Sequence, residues 1–209
     1  MYLGIEKSIE EVKNEIITLT GLHPSKIRNI YPFGSRVYGN FTLNSDLDCV
    51  VIACSMNLNV EIHEGLYNIH ITTPDAFKEQ LDAHDIRNIE CIYAPRNITI
   101  ASQIDYLKDF RIYTPQLKKM IITQSAGAWT RARKRLEQGN IIGGAKSLYH
   151  TFRILKFGLQ LMEYRKIVDF TAGNDIWEEV KNFEGLEWQE YQDKWLEYKK
   201  TLQKQMRRA

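Results

Sequence analysis

The stretch that decides the fold runs from residue 33 to residue 52 and reads FGSRVYGNFTLNSDLDCVVI. Gly34 permits a tight turn and lets a ligand approach the backbone closely. Asp46 and Asp48 open an almost wholly apolar, β-branched run, which predicts a strand buried on both faces. Because side chains alternate along a strand, we expect both carboxylates on the same face of a sheet, close to the Gly34 turn.

Two carboxylates on one face repel each other, and no Lys or Arg beside them in the sequence neutralises Asp46 and Asp48. Such a pair is costly unless a cation lies between them, and hard oxygen ligands favour Mg²⁺ or Mn²⁺. A helical turn after Gly34 and Ser35 would offer free backbone N–H groups, which suit phosphate oxygens. An isolated Asp-x-Asp is most often a polar turn into a strand, but the Gly-Ser upstream and the apolar run downstream favour a metal and phosphate site.

The same residues resemble a known signature. The run from Gly34 to Ile52 is similar to that of the nucleotidyltransferase superfamily of DNA polymerase β, and most of all to its small stand-alone bacterial and phage members. Three further runs resemble that group: IHITTPDAFKEQL (69–81), IECIYAP (89–95) and KSLYHTFRILKFG (146–158).

The resemblance implies a metal-dependent transfer of a nucleoside monophosphate from a nucleoside triphosphate to a hydroxyl, with release of pyrophosphate. Gly34 and Ser35 would hold the β- and γ-phosphates, with Arg36 among the nucleotide contacts. Asp46 and Asp48 would bind one or two Mg²⁺ or Mn²⁺ ions and act in catalysis. ATP is one candidate donor, and the acceptor hydroxyl would belong to RNA such as tRNA, a protein or a small molecule.

The sequence departs from the family at the third carboxylate, which normally lies on a neighbouring strand. The expected place holds Asn68 and His70 instead. Two residues are candidates for the missing metal ligand, Glu61 and His70, and the remaining alternative is an incomplete second metal site. That alternative would make the chain a catalytically weakened nucleotide-binding or regulatory module. Glu90 is either a further acid or an ordinary salt-bridged glutamate.

Hydrophobic periodicity predicts an α+β fold in two parts. With the resemblance, residues 1–105 are expected to form a nucleotidyltransferase domain with a small mixed sheet, and residues 106–209 a helical domain that lines a cleft. In the first part, the apolar spacing predicts a helix over 5–20, and residues 60–73 predict two strands or one bent strand.

Charge is segregated along the chain. Residues 1–110 carry a net charge of −6, residues 111–166 carry +10 and residues 167–209 carry −2. The basic block is either a solvated helix face or a phosphate-binding wall that takes a nucleotide and also favours RNA as a partner.

One face of a predicted helix in this block presents Lys146, Tyr149 and Arg153. On the functional interpretation, Lys146 and Arg153 neutralise triphosphate charge and Tyr149 stacks on the base. The alternative is a basic surface with Tyr149 half-buried.

Several classes of protein are excluded by composition. No apolar run is long enough for a membrane span, and the acidic N-terminal stretch differs from a secretory signal. The three cysteines form no CxxC pair, which favours reduced, buried thiols and a cytoplasmic location. Nothing in the sequence indicates the oligomeric state.

Overall fold

The computed structural model describes residues 2–55, 59–185 and 187–209. The chain divides into two compact units, Met1–Arg111 and Ile112–Ala209. The division expected after residue 105 lies slightly before this boundary, and the roles expected for the two halves stay predictions.

The first unit carries all strands of the described chain. In chain order its elements are α1 (Ile9–Thr20), β1 (Ile27–Phe33), α2 (Ser35–Tyr38), β2 (Leu47–Ala53), β3 (Asn59–Glu64), β4 (Tyr67–Thr72), α3 (Pro74–Asp82), α4 (Ile86–Tyr93), β5 (Ala101–Ser102) and α5 (Tyr106–Asp109), with a 3-10 turn at Pro24–Lys26.

The strands form one mixed sheet in the order β3-β4-β2-β1-β5. β2 runs parallel to β4 and antiparallel to β1, while β3 and β4 form an antiparallel hairpin. In this register Asp48 of β2 lies between Asn68 of β4 and Phe33 of β1. The predicted α+β class with a small mixed sheet is confirmed, and the start of its middle strand carries a carboxylate.

β2 is buried on both faces, as its apolar run predicts. On one face Cys49 and Val51 join a core that includes Val12 and Ile16 of α1. On the other face Val50 is also buried. Asp48 shares the face of Val50 and is half-buried. Alternation therefore lets this strand bury its apolar length and still present a carboxylate at its start.

The first helix is shorter than its apolar spacing predicts. It begins at Ile9 and not at Ile5, because Ser8 and Glu11 form a capping box that fixes the helix start. Ile5 pairs with Tyr2 in a β-bridge and is buried there. Ile5 thus fits the helical spacing of apolar residues but is buried in the core through a β-bridge and not through the helix.

The cysteines are free thiols. Cys49 and Cys91 are buried, and burial raises the pKa of both, so they stay protonated at neutral pH. Cys54 is only partly buried. The expectation of buried thiols is therefore confirmed for two of the three.

The second unit is built from helices. They are α6 (Thr114–Glu137), α7 (Ile141–Tyr164), α8 (Asn174–Lys181) and α9 (Trp188–Arg208).

α6 and α7 form an antiparallel hairpin with glycines at the contact. A Cβ on Gly158 would lie 2.7 Å from Cγ2 of Ile121, and one on Gly144 would overlap Leu136. The hairpin therefore packs closely at both ends because α7 has no side chain at these positions. Over the described residues, no helix combines the length and apolar character that a membrane crossing requires.

Candidate functional site

The turn after β1 brings glycine backbone against a carboxylate. Gly34 has φ 81° and ψ −165°, a conformation that is essentially restricted to glycine. A Cβ at this position would overlap Oδ2 of Asp48. Gly34 also precedes the single helical turn of α2, whose Val37 and Tyr38 N–H groups donate to the Gly34 carbonyl. The Gly34 turn therefore lies against the carboxylate of Asp48, and Ser35, the next residue, is half-buried.

The two aspartates differ in environment. Asp48 is the second residue of β2 and is half-buried, whereas Asp46 immediately precedes the strand and is exposed. Burial lowers the pKa of the neighbouring Arg36, and the carboxylate of Asp46 partly opposes this effect.

Arg36 is buried and braces the loop that carries Asp46. Its Nε and Nη2 donate to the Ser45 carbonyl at 2.9 and 2.7 Å, and its Nη1 donates to the Leu3 carbonyl at 2.9 Å. The guanidinium also lies over the ring of Phe41. These contacts fix the backbone just before Asp46, while the predicted nucleotide contact of Arg36 stays a prediction.

Asn68 stands beside Asp48 where the family's carboxylate is expected. Its Nδ2 donates to Asp48 Oδ1 at 2.7 Å, because β4 runs parallel to β2 with these two residues in register. An amide donor stabilises the carboxylate of Asp48 but adds no negative charge to the site. Sequence reasoning did not single out Asn68 for this role, since only the strand register reveals the contact.

Glu61 is separated from Asp48 by the width of one strand. It lies on β3, beyond β4, with its Oε1 3.6 Å from His70 Nδ1 and its Oε2 3.8 Å from His63 Nε2. His70 pairs with Val50 of β2. It is two residues after Asn68 on β4 and therefore on the same face of the sheet. Burial, followed by Arg87, lowers the pKa of His70 against the opposing effect of Glu61, so its ring is neutral at pH 7.

Glu90 lies inside the first unit. It is 2% exposed, and its Oε2 accepts a hydrogen bond from the hydroxyl of Tyr38, the last residue of α2. Glu90 thus ties α4 to the helical turn that follows Gly34. The sequence marked Glu90 as a possible acid but gave no signal for its partner Tyr38.

The donor set fits one hard divalent cation. Asp46 and Asp48 supply carboxylate oxygens, and the absence of a Cβ at Gly34 lets Asp48 Oδ2 lie directly against the turn. In the described part of the chain, no group of three or more His, Cys, Asp or Glu side chains is arranged to hold a metal ion. A second ion would need a ligand beyond these two aspartates.

The three predicted residues of α7 have different surroundings. Lys146 is exposed. The Tyr149 ring packs 5.6 Å from that of Trp177, and its hydroxyl donates to Asn174 Oδ1 at 3.1 Å. Arg153 is 7% exposed, with its guanidinium over the Phe157 ring. Of the three, only Lys146 offers an exposed functional group.

Comparisons with known proteins give a family for the first unit. The family model described as "Nucleotidyltransferase domain" matches residues 9–113, just over half of the 209-residue chain. No curated protein matches the chain. A solved structure, a nucleotidyltransferase-like protein from Exiguobacterium sibiricum 255-15, aligns with 95% of this chain and 74% of its own at 12% identity. Its TM-score of 0.36 is too low to add to the assignment.

Proposed function

Because the chain belongs to the nucleotidyltransferase domain family, we propose that it transfers a nucleoside monophosphate from a nucleoside triphosphate to a hydroxyl acceptor, with release of pyrophosphate. The site of this reaction is formed by Gly34, Ser35, Asp46 and Asp48. The free thiols agree with the cytoplasmic location that we propose for it.

One observation carries the proposal: the Gly34 backbone lies directly against the Asp48 carboxylate. Phosphate oxygens are bound by backbone N–H groups after a glycine turn, and cations that neutralise those phosphates are bound by carboxylates. A triphosphate with its cation needs both kinds of group within a few ångströms of each other. The contact between Gly34 and Asp48 supports that arrangement.

Asp46 and Asp48 would hold the Mg²⁺ or Mn²⁺ ion. When bound, the ion supplies positive charge to the phosphates and lowers the pKa of the attacking hydroxyl. Asn68 orients Asp48 through its amide, and Arg36 holds the loop from which Asp46 projects. The nucleotide contacts of Lys146, Tyr149 and Arg153 remain part of the prediction.

A second candidate function is nucleotide binding without efficient transfer. It is favoured by the 2.7 Å hydrogen bond from Asn68 to Asp48, because an amide neither accepts a proton nor supplies the charge of a third carboxylate. On this alternative the triphosphate binds with its cation and the chain acts as a regulatory module.

Transfer of label from each α-labelled ribonucleoside triphosphate, with Mg²⁺ and a mixture of RNAs, tests the proposal. We expect Asp48→Asn to reduce incorporation roughly 100-fold or more, as when a group that stabilises transition-state charge is removed. Glu10→Gln, which removes one carboxylate charge from an exposed residue of α1, serves as the control. Equal incorporation by Asp48→Asn and Glu10→Gln would overturn the site, and triphosphate binding with no incorporation would favour the regulatory alternative.

A further inference from the structure

The α6–α7 hairpin is almost free of acidic side chains. From residue 114 to residue 162 the sequence has a single carboxylate, Glu137. Its Oε1 lies 2.7 Å from Nε of Arg133, one turn earlier on α6. This pair neutralises one arginine, and residues 114–162 contain no other carboxylate.

Three exposed cations lie on one side of this hairpin. Arg131 and Arg135 are one turn apart on α6 and therefore share a face. The Arg135 guanidinium reaches α7, where its Nη1 donates to Gly143 O at 3.2 Å and to Ser147 Oγ at 2.9 Å. Lys146 is the neighbour of Ser147. Within the described residues, Arg131, Arg135 and Lys146 have no carboxylate partner.

His150 lies among these cations, one turn after Lys146 on α7. Its pKa is well below the ordinary value, first because of burial and then because of Arg153, Arg131, Lys146 and Arg135. The ring is therefore neutral, and its Nδ1 is buried with no hydrogen-bond partner among the described residues. The effect of all four cations on one imidazole means that their positive charge is concentrated in one region of the helical unit.

We propose that Arg131, Arg135 and Lys146 bind the phosphodiester backbone of a nucleic-acid strand. Exposed cations along a helix hairpin suit a line of phosphates, which a strand presents and a single small anion does not. The aromatic ring next to them, that of Tyr149, is packed against Trp177 and is not offered for base stacking. The site therefore recognises charge and not base identity.

Binding at this site does not depend on the transfer reaction. The proposal concerns strand binding by the second unit alone, and it holds whether or not the bound strand is also an acceptor in the proposed function.

The salt dependence of strand affinity gives the size of the effect that the experiment should measure. For single strands the slope of log K against log salt is roughly −0.7 for each phosphate contact. Three contacts give a slope of about −2, and the loss of two of them reduces its magnitude by about 1.4.

The experiment measures anisotropy of a short fluorescein-labelled RNA between about 50 and 200 mM salt, with DNA of the same sequence as a second arm. The double variant Arg131→Gln/Lys146→Gln removes two cations that make no hydrogen bond within the described structure. The control, Arg133→Gln/Lys200→Gln, removes the same charge from two side chains that pair with Glu137 and Glu197. Triphosphate affinity is measured on the same variants.

We expect the cluster variant to weaken strand binding and flatten its slope, while the control keeps the slope of the unmodified chain. RNA and DNA bound alike would identify the backbone as the shared ligand, and RNA bound more tightly would identify RNA as the source. Absence of strand binding, equal slopes in both variants, or weakened triphosphate binding with unchanged strand binding would each overturn the proposal. None of these results depends on whether monophosphate transfer is detected.

Discussion

At the scale of the residue, Gly34 and Asp48 constrain each other. Gly34→Ala forces a Cβ into the space of Asp48 Oδ2 and into a backbone conformation that costs about 1–3 kcal/mol. We expect this variant to unfold at lower urea concentration and to lose Mg²⁺-dependent triphosphate affinity, because Asp48 must move. Urea denaturation and calorimetry on the same sample measure the two effects.

Gly39 gives a matched control in the same loop. It also has a positive φ, 77°, but a Cβ there meets no atom within 4 Å. Gly39→Ala should therefore cost stability, roughly 1–2 kcal/mol, without loss of triphosphate affinity. If both alanine variants lose affinity equally, backbone strain and not the Gly34–Asp48 contact is responsible.

Asn68 is one of the two residues found where the resemblance places a third carboxylate, and it is the one that contacts Asp48. Asn68→Asp places a second carboxylate in hydrogen-bonding range of Asp48, where the two repel each other without a cation. We expect a lower melting temperature than the unmodified chain in EDTA and a larger rise on addition of Mn²⁺. At 100 times the Kd, ion binding stabilises by about 2.7 kcal/mol.

Asn68→Ala separates charge from hydrogen bonding, because it removes the amide and adds no carboxylate. We expect the rise in melting temperature on addition of Mn²⁺ to be no larger in this variant than in the unmodified chain. A rise with Mn²⁺ that is the same for Asn68→Asp and the unmodified chain would show that position 68 is not beside the cation.

The sequence predicts the residues whose role depends on their own strand. Gly34, Asp46 and Asp48 follow from a glycine turn and a two-residue period within twenty residues. Asn68 does not, because its contact depends on the register between β2 and β4. Arg36 was predicted from its motif as a nucleotide contact, but whether a guanidinium points outward or into the loop is decided by tertiary packing.

At the scale of the element, α2 is a single turn that the fold must hold in place. Tyr38 at its end donates to the buried Glu90 of α4. Tyr38→Phe removes this hydrogen bond, and we expect a loss of about 1–3 kcal/mol in the free energy of unfolding. Urea denaturation should show a lower midpoint with an unchanged m-value.

Tyr164→Phe removes a hydroxyl from a tyrosine that is 49% exposed at the end of α7, and it serves as the control. An exposed hydroxyl is satisfied by water when its partner is lost, so its removal should change stability little. Equal midpoints for the two phenylalanine variants would contradict a structural role for the Tyr38–Glu90 contact.

The strands were easier to predict than the exact start of the helices. The apolar run after Asp46 forms β2, and residues 60–73, predicted as two strands or one bent strand, form the β3–β4 hairpin. The first helix was predicted four residues too early, because Ile5 continues the apolar spacing while the Ser8 cap sets the start. The periodicity of apolar residues predicts which side chains are buried, whereas the capping residues predict where the helix begins.

At the scale of the whole molecule, two histidines with lowered pKa values make stability depend on pH. Burial is the largest cause that lowers the pKa of both His84 and His150 below the ordinary value of 6.5. Below pH 6.5 the unfolded chain therefore binds more protons than the folded chain, and the free energy of unfolding falls as pH falls. The stabilising effect is fully present above pH 6.5, and it is lost below it at up to about 1.4 kcal/mol per pH unit for each histidine.

Urea midpoints measured from about pH 7.5 to about pH 5.5 check this dependence. We expect His150→Gln to reduce the change in midpoint over that range relative to the unmodified chain. A midpoint that rises as pH falls through 6.5 would contradict the burial of neutral imidazoles.

The central claim is that the Gly34 turn and the two aspartates bind a triphosphate together with a divalent cation. Calorimetry with each of the four ribonucleoside triphosphates, in Mg²⁺ and in EDTA, tests it most directly. We expect binding in Mg²⁺ that weakens at least tenfold, about 1.4 kcal/mol, in EDTA and in Asp46→Ala, but not in Glu10→Ala. Equal affinity in Mg²⁺ and EDTA, or in Asp46→Ala and the unmodified chain, would contradict the account.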